Sequence, residues 1–233
     1  DISAPTQDLV INSDVDALDI NFSGSASVTI NEASAIELVD LNADTQALAV
    51  NDGNLLLLAN GDISVSNNVI AQDQSADGLR SGMVSLESVT GNISVGTAND
   101  VSITSSNTVD QLVDGGVGNG INGNVASQTG IYLGLQNNTD ATRSIALGSD
   151  TTAANIVAIG GDIEIDGVGD GSNNVLAASI SLSPVSSISA YNDINDALDG
   201  SIFLDGNSLS SETNVSVRSN RSVALTGVDF VVP

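Results

Sequence analysis

The chain lacks most of the side chains that enzymes use as nucleophiles and proton carriers. Its 233 residues contain no Cys, no His and no Lys. Without Cys there is no disulfide and no thiolate chemistry, and without His there is no Ser-His-Asp or Cys-His catalytic set. Steps that need a lysine amine, including Lys–Asn cross-links, are excluded as well. The same absences argue against a zinc site, since zinc is bound mainly by Cys and His.

Positive charge is almost absent. The cationic side chains are Arg80, Arg143, Arg218 and Arg221, against 29 acidic residues, and the net charge is −25. A surface this acidic is repelled by the phosphates of nucleic acids and by anionic lipids. We therefore expect no nucleic-acid partner. No run approaches the roughly 18 apolar residues that a membrane span needs, so we also expect no membrane insertion.

Aromatic residues are scarce too, at 2% of the chain, although 41% of the residues are hydrophobic. An interior filled by Ile, Val, Leu and Ala must be narrow, because small side chains cannot fill a wide core. The many Ile and Val residues argue against disorder. Asp outnumbers Glu by 24 to 5, and Asp favours turns whereas Glu favours helices. This composition predicts an all-β protein.

Short stretches with apolar residues at alternate positions recur along the chain, separated by turn-forming residues. In the first part of the chain they follow one another at steps of about seven to ten residues, which is typical of short strands. Irregular inserts interrupt this rhythm at residues 71–82, 107–130, 148–155, 166–174 and 191–200. We interpret the Gly-rich insert at about 107–130 as a loop that leaves one continuous domain covering residues 1–233, rather than as a domain boundary.

A short phrase, Gly-polar-Ile-x-aliphatic, occurs four times. Its copies begin at Gly61, Gly91, Gly161 and Gly200, and looser copies begin at Ser144 and Ser179. Many short strands suggest a sandwich, a barrel or a solenoid, but a phrase in one orientation favours a parallel coil that returns the same corner to the same edge. We predict a single parallel β-solenoid with irregular loop inserts, with an antiparallel β-sandwich as the alternative. The predicted inward residues are Ile63, Val65, Ile93, Val95, Ile163 and Ile165.

These repeats resemble the degenerate repeats of filamentous-haemagglutinin-type bacterial surface proteins. The resemblance rests on residues 61–65, 91–95 and 161–165 and extends over the strand-rich parts of the chain. It implies a β-solenoid fold, export to the cell surface, and an adhesive or scaffolding role. The chain departs from those proteins in being short and in lacking a regular period of about 20 residues.

One segment fits two structures. Residues 34–37 match a helix capping box, so residues 34–49 could form a helix. We favour strands, because strands bracket the segment closely. In that interpretation Ile36 and Leu38 face inward and Leu41 follows them after a slip of one residue.

Carboxylates are the remaining source of catalytic chemistry. Two groups could act in pairs, as in glycoside hydrolysis; they are Asp14, Asp16 and Asp19, and Asp162, Glu164 and Asp166. Sugar sites usually also offer aromatic platforms, which this chain nearly lacks. We therefore expect no enzyme and assign no catalytic residue.

Calcium is the candidate ligand, although we expect no cofactor to be required. Asp166 and Asp170 stand at loop positions one and five of a partial EF-hand pattern, and Gly171 stands at position six. The carboxylate at position three and the Glu at position twelve are missing. The alternative is a solvated Gly/Asp loop.

The ends of a solenoid expose unpaired backbone groups, which isolated proteins cover with a helix, prolines or charges. Residues 222–232, SVALTGVDFVV, instead form two apolar stretches with one Asp. We predict that copies assemble head-to-tail, and the alternative is that the last strands pair within their own subunit. The predicted assembly residues are Leu9, Ile11, Val223, Leu225, Phe230 and Val232.

The expected function is that of a non-enzymatic structural protein, the subunit of a surface fibre or adhesive filament. Its expected partners are copies of itself, together with surface glycans or other cells. The chain begins at Asp1 without Met, which we interpret as export to the cell surface or medium with a signal peptide removed; a trimmed chain is the alternative. The second function class is a carbohydrate-active or carbohydrate-binding β-helix domain, which a groove lined by carboxylates and an Arg would favour.

Overall fold

Strands are the regular elements of the part of the chain that the computed structural model describes, namely residues 8–22, 26–41, 46–74, 81–107, 130–136, 142–167, 179–183, 185–191, 202–205, 208–210, 216–219, 223–226 and 229–231. In chain order they are β1 (Leu9–Ser13), β2 (Ala17–Leu18), β3 (Ile20–Phe22), β4 (Val28–Glu32), β5 (Ile36–Leu38), β6 (Gln46–Asn51), β7 (Leu55–Ala59), β8 (Ile63–Val65), β9 (Asn68–Asp73), β10 (Val84–Ser88), β11 (Ile93–Val95), β12 (Val101–Asn107), β13 (Gly130–Leu135), β14 (Ser144–Leu147), β15 (Ala154–Ile159), β16 (Asp162–Asp166), β17 (Ser179–Leu182), β18 (Ser187–Tyr191), β19 (Ile202–Asp205), β20 (Ser208–Ser210), β21 (Ser216–Ser219), β22 (Val223–Thr226) and β23 (Asp229–Val231).

The strands form three parallel sheets, and each strand pairs with the strand three further along the chain. The first sheet is ordered β1-β4-β7-β10-β13-β16-β19-β22, the second β2-β5-β8-β11-β14-β17-β20-β23, and the third β3-β6-β9-β12-β15-β18-β21. Each circuit of three strands is therefore one coil, with β1–β3 as coil 1 and β22–β23 as the start of coil 8. The fold is a parallel β-solenoid, as predicted, and the parallel pairing excludes the antiparallel sandwich.

The interior is narrow and aliphatic, as the composition predicted. The six residues predicted to face inward, from Ile63 to Ile165, are all 0–1% exposed. Among the buried hydrophobic residues of the described part, only Phe22, Met83 and Tyr132 are not Ile, Leu, Val or Ala.

The repeated phrase does not mark a single corner, which corrects the prediction in part. Ile63 pairs with Ile93 in the second sheet, whereas Ile163 pairs with Ile202 in the first. The looser copies continue the second-sheet ladder, because Ile93 pairs with Ile145 and Ile145 with Ile180. Each copy of the phrase is a tight corner followed by the strand that leaves it. The copies occur in two of the three sheets, because corners in both sheets need the same kinds of residue.

The segment that could have been a helix forms strands. Ile36 and Leu38 in β5 are buried, as predicted. The inward position of Leu41 was wrong, because Leu41 lies past the corner and is 68% exposed. Its backbone N–H donates to Asp19 Oδ2 at 2.8 Å in the coil below.

Asp and Asn side chains at the corners accept backbone N–H groups from the next coil. Asp62 Oδ1 accepts from Asn92 N at 2.6 Å, and Asn92 Oδ1 in turn accepts from Ser144 N at 2.9 Å. The same contact joins Asn68 to Ser102 N, Asp100 to Ala153 N and Asn54 to Met83 N, at 2.8, 2.8 and 3.0 Å. A short side chain reaches a donor one coil away, which gives a physical reason for the excess of Asp over Glu.

The third sheet contains strands that the alternation pattern missed. In this sheet a β-branched residue is followed two positions later by a small one, as at Val69 and Ala71. Ala71 pairs with Ser105, and the column continues through Ala158 and Ala190. The insert boundaries at 71 and 155 were wrong for the same reason, since β9 runs to Asp73 and β15 begins at Ala154. The boundaries at 107, 130, 166 and 191 each overlap the end of a strand by one residue. Most of the Gly-rich insert, residues 108–129, lies outside the described residues.

Neighbouring residues of β11 test the inward assignment. Ile93→Asp places an unpaired charge in the apolar interior and should lower the free energy of unfolding by about 3 kcal/mol or more. Ser94 points outward on the same strand, so Ser94→Asp should change it by less than about 0.5 kcal/mol. Urea denaturation of both variants measures the difference. Equal stabilities would overturn the assignment of the two faces.

Candidate functional site

A row of carboxylates lies on the outer face of the first sheet. Because Ile163 and Ile165 face inward, Asp162, Glu164 and Asp166 point outward from β16. Residues two apart in a strand are separated by about 6.8 Å, so these carboxylates are in line and do not converge. The described part of the chain contains no group of three or more acidic side chains that could hold a metal ion.

Tyr132 lies beside this row and binds one member of it. Its hydroxyl donates a hydrogen bond to Asp166 Oδ2 at 3.1 Å. The ring covers Gly134, where a Cβ atom would come within 2.4 Å of it. Gly134 pairs with Asp166. Because Gly134 has no side chain, the Tyr132 ring can lie over it and its hydroxyl can reach the Asp166 carboxylate.

Glu87 completes the cluster, although no sequence pattern pointed to it. It pairs with Gly134 in the same column as Asp166 and is 2% exposed. Gln136 Nε2 donates to Glu87 Oε2 at 2.6 Å, and Ser85 Oγ donates to Oε1 at 3.3 Å. No local sequence pattern could reveal this cluster, because Glu87 and Asp166 are far apart in the chain. They lie in the same column only because the strands of coils 4, 5 and 6 pair in register.

The cluster keeps Tyr132 protonated. Burial raises the pKa of the Tyr132 phenol, and the negative charges of Asp166, Glu87 and Glu164 raise it further. A phenol in this state donates a hydrogen bond and does not ionise near neutral pH. The arrangement therefore works as a buried polar network that joins coils 4, 5 and 6.

The calcium prediction is only half covered by the described residues. Asp166 accepts the Tyr132 hydrogen bond, whereas Asp170 lies outside the described residues. Asp14, Asp16 and Asp19 are in coil 1, and Asp19 Oδ2 accepts the N–H of Leu41. The calcium site stays a prediction.

Arg143 is the arginine whose side chain is described, and it is buried at 6% exposure. Nε donates to the carbonyl oxygen of Gly91 at 2.7 Å, and Nη2 donates to that of Ser88 at 3.0 Å. Nη1 donates to the carbonyl of Gln136 at 3.1 Å. These bonds fasten the corner of coil 5 to that of coil 4, so the guanidinium stabilises backbone instead of facing a substrate groove.

The predicted assembly residues lie on the outermost strands of the described solenoid. Leu9 and Ile11 are on β1, at the edge of the first sheet, and are half-buried against the core. Val223 and Leu225 are on β22, at the opposite edge of the same sheet, and Phe230 is on β23, at the edge of the second. Val232 lies outside the described residues.

Glu32 fastens coil 1 to coil 2. Its side chain accepts hydrogen bonds from Ser13 Oγ at 2.7 Å and Val15 N at 3.3 Å in coil 1. It also accepts from Ser34 N and Ser34 Oγ, both at 3.0 Å. Burial acts to raise the pKa of Glu32, but these hydrogen bonds outweigh it and lower the pKa below its usual value.

Comparisons with protein-family models, with curated proteins and with solved structures found no match to the chain. In the part that the structure describes, no helix is long and apolar enough to cross a bilayer. The function must therefore be inferred from the solenoid, its polar clusters and its ends.

Gly134→Ala tests the tyrosine network. The added methyl group would collide with the Tyr132 ring, so the hydrogen bond to Asp166 should break and the free energy of unfolding should fall by about 1–3 kcal/mol. Tyr132→Phe is the control that removes only the hydroxyl group and should cost about 1 kcal/mol. In the double variant Tyr132→Phe with Gly134→Ala, the second change should still lower the free energy of unfolding, because the phenylalanine ring occupies the space of the added methyl group. A harmless Gly134→Ala would contradict the packing of the ring over Gly134.

Glu32→Gln tests whether the carboxylate of Glu32 stabilises the contact between coils 1 and 2. The test is the pH dependence of the free energy of unfolding. A folded-state pKa below the usual 4.5 means that the carboxylate stabilises the fold above about pH 4.5. The contribution is lost as the pH falls through the folded-state pKa. The variant should be less stable than the parent by about 1–3 kcal/mol at pH 7, and the difference should shrink below about pH 4.5. Thermal melts of the parent and the variant across pH measure the difference. Asp14→Asn, at an exposed position of coil 1, is the control and should change the free energy of unfolding at pH 7 by less than about 0.5 kcal/mol.

Proposed function

We propose that the protein is a non-enzymatic structural protein of the cell surface, which assembles head-to-tail into a fibre or adhesive filament. The observation that supports the proposal is that the described solenoid ends in open sheet edges on both sides, and that these edges belong to the same sheets. A strand edge with free backbone groups is a template for another strand. The same chain offers both halves of the contact.

The first strand supports this proposal in detail. Leu9 N–H donates to the carbonyl oxygen of Ser27 at 2.9 Å, so Leu9 bonds toward coil 2. Alternate residues of a parallel strand direct their backbone groups to opposite sides, and those of Val10 therefore point away from coil 2. The Val10 side chain is 60% exposed. Among the described residues, none pairs with this outer edge of β1.

Net charge favours growth at the ends over sideways association. A chain with a net charge of −25 repels parallel copies of itself along its length. Contacts at the ends bring together only the terminal coils, where ladder hydrogen bonds and apolar columns offset that repulsion. A head-to-tail contact that does not close on itself produces a filament.

The side-chain chemistry also favours a structural role. The chain has no His, Cys or Lys, Tyr132 and Glu87 are satisfied in a buried network, and Arg143 is bonded to backbone carbonyls. The resemblance to filamentous-haemagglutinin-type repeats points to the same class of surface protein. The carbohydrate-active or carbohydrate-binding alternative stays a prediction, with the Asp162–Glu164–Asp166 row as its best candidate site.

Val10→Pro tests assembly at the open edge. Proline removes the N–H that faces outward and leaves the bonds of Leu9 to coil 2 in place. The parent should form large assemblies with rising concentration at moderate salt, detected by light scattering and electron microscopy. Val10→Pro should remain monomeric with a melting temperature within a few degrees of the parent. Val10→Thr keeps the N–H and should assemble like the parent.

If the parent is monomeric at high concentration, the filament proposal is wrong, and a lone adhesive domain becomes the better explanation. If Val10→Pro assembles as readily as Val10→Thr, the outer edge of β1 is not the contact.

A further inference from the structure

The outer face of the third sheet carries no charged side chain across β6, β9, β12, β15 and β18, although the chain has a net charge of −25. Buried inward residues alternate with half-buried outward ones along β9, β12 and β15. The middle outward column is paired in register through five coils and consists of Ala49, Ile70, Thr104, Val157 and Ser189. We call this column and the outward columns on its two sides the third-sheet face.

The two flanking columns are uncharged as well. One contains Asn51, Gln72, Ser106, Ile159 and Tyr191. The other contains Asn68, Ser102, Asn155 and Ser187. Asp73, the last residue of β9, is 2% exposed and accepts the N–H of Ser81 at 2.9 Å, so it is not part of the face. The outer face of the first sheet, in contrast, carries the carboxylates of Glu87, Glu164 and Asp166.

Charge limits which partners can approach this face. Resting on the adhesive role proposed above, we propose that the third-sheet face is the adhesive surface and that its ligand is an extended, uncharged polysaccharide. Acids lie at the corners on both sides of the face, as at Asp52 and Asp100. They repel nucleic acids, anionic lipids, acidic polysaccharides and other copies of this chain. An uncharged polymer meets no such repulsion.

The face presents hydroxyl, amide and aliphatic groups side by side. Ser187 Oγ donates to Asn155 Oδ1 at 2.8 Å, and Ser102 Oγ lies 3.3 Å from Thr104 Oγ1; these contacts hold the polar groups in place. Hydroxyl and amide groups both donate and accept hydrogen bonds, as sugar hydroxyls do, and the aliphatic side chains between them suit the C–H faces of sugar rings. At the edge of the face, Tyr191 is 37% exposed and offers a ring for stacking.

The size of the face favours a polymer over a second copy. Five strands about 4.8 Å apart and about 20 Å long present roughly 500 Å². A symmetric pair would therefore bury roughly 1,000 Å² in total, which is the lower limit for a stable interface. A long polymer instead contacts the faces of several copies in the proposed filament, and many weak contacts add up to firm attachment.

Retention on insoluble polysaccharides tests the class of ligand. The uncharged probes are microcrystalline cellulose, chitin and starch granules, and carboxymethyl cellulose is the charged counterpart of the first. At least one uncharged probe should retain about tenfold more of the parent than carboxymethyl cellulose does. Because no ion pair contributes, this retention should change by less than about twofold between about 0.05 and 0.5 M salt. The proposal is overturned if none of the three uncharged probes retains the parent.

Substitutions test whether the third-sheet face is the binding site. Thr104→Asp places a charge at the centre of the face and should reduce retention about tenfold. Tyr191→Ala removes the exposed ring and should reduce retention about threefold; its exposed position keeps the test valid if Thr104→Asp impairs folding. Ser94→Asp, on the outer face of the second sheet, is the matched control and should be retained like the parent. Melting temperatures of all variants check that they fold.

Two results would place the site elsewhere. Unchanged retention of both Thr104→Asp and Tyr191→Ala would overturn the proposal. A loss of retention in Glu164→Gln with no loss in the two face variants would also overturn it, and would assign binding to the carboxylate row of the first sheet.

Electron microscopy and sedimentation separate the ligand from the filament. Filaments of the parent without retention on any probe would overturn the ligand and leave the proposed filament in place. Retention of a parent that stays monomeric would support the ligand and remove the filament. A parent dimer that Thr104→Asp converts to monomers would assign the face to a second copy and overturn the proposal.

Discussion

The structure depends on the parallel pairing of each coil with the next. Strands about 4.8 Å apart and in register force every side chain onto the equivalent side chain of its neighbour. Leu9, Val28, Leu55 and Val84 thus form the start of one continuous inward column. The interior cannot widen beyond what three short sheets enclose, so aliphatic residues fill it and aromatic residues are almost absent from it.

Corners hold the coils together where the sheets stop. Backbone N–H groups at a corner have no strand partner, and a buried or half-buried donor without an acceptor is costly. Asp and Asn side chains such as Asp62, Asn92 and Asp100 supply the acceptors from one coil below. Glu32 accepts backbone N–H groups in the same way with a longer side chain, whereas Arg143 donates to backbone carbonyl oxygens of two coils. The acidic character of the chain is thus in part a consequence of its many corners.

Sequence patterns predicted the class of fold and most of the interior, because alternation and turn chemistry are local. The six inward residues and the strand at Ile36–Leu38 were correct. The alternation of apolar and polar residues did not predict β9, β15 and β18. In these strands one of the inward residues is Ala, which is not distinguished in the sequence from the small residues of turns. The alternation also failed for Glu87 and Asp166, whose proximity depends on register. Coils differ in length, from Leu9 to Val28 at one extreme and from Val84 to Ile131 at the other, so no period in the sequence reveals which residues stack.

The direction of the ladder hydrogen bonds determines how the solenoid responds to force. These bonds run along its axis, so tension between the two ends loads one coil at a time, as in peeling, and never shears a whole sheet at once. A coil such as that from Ile131 to Ile163 occupies about 4.8 Å of the axis and releases roughly 100 Å of chain when it opens. Each opened coil thus lengthens about twentyfold while the coils on either side stay folded. A tether built in this way absorbs a pull by extending in small steps instead of breaking.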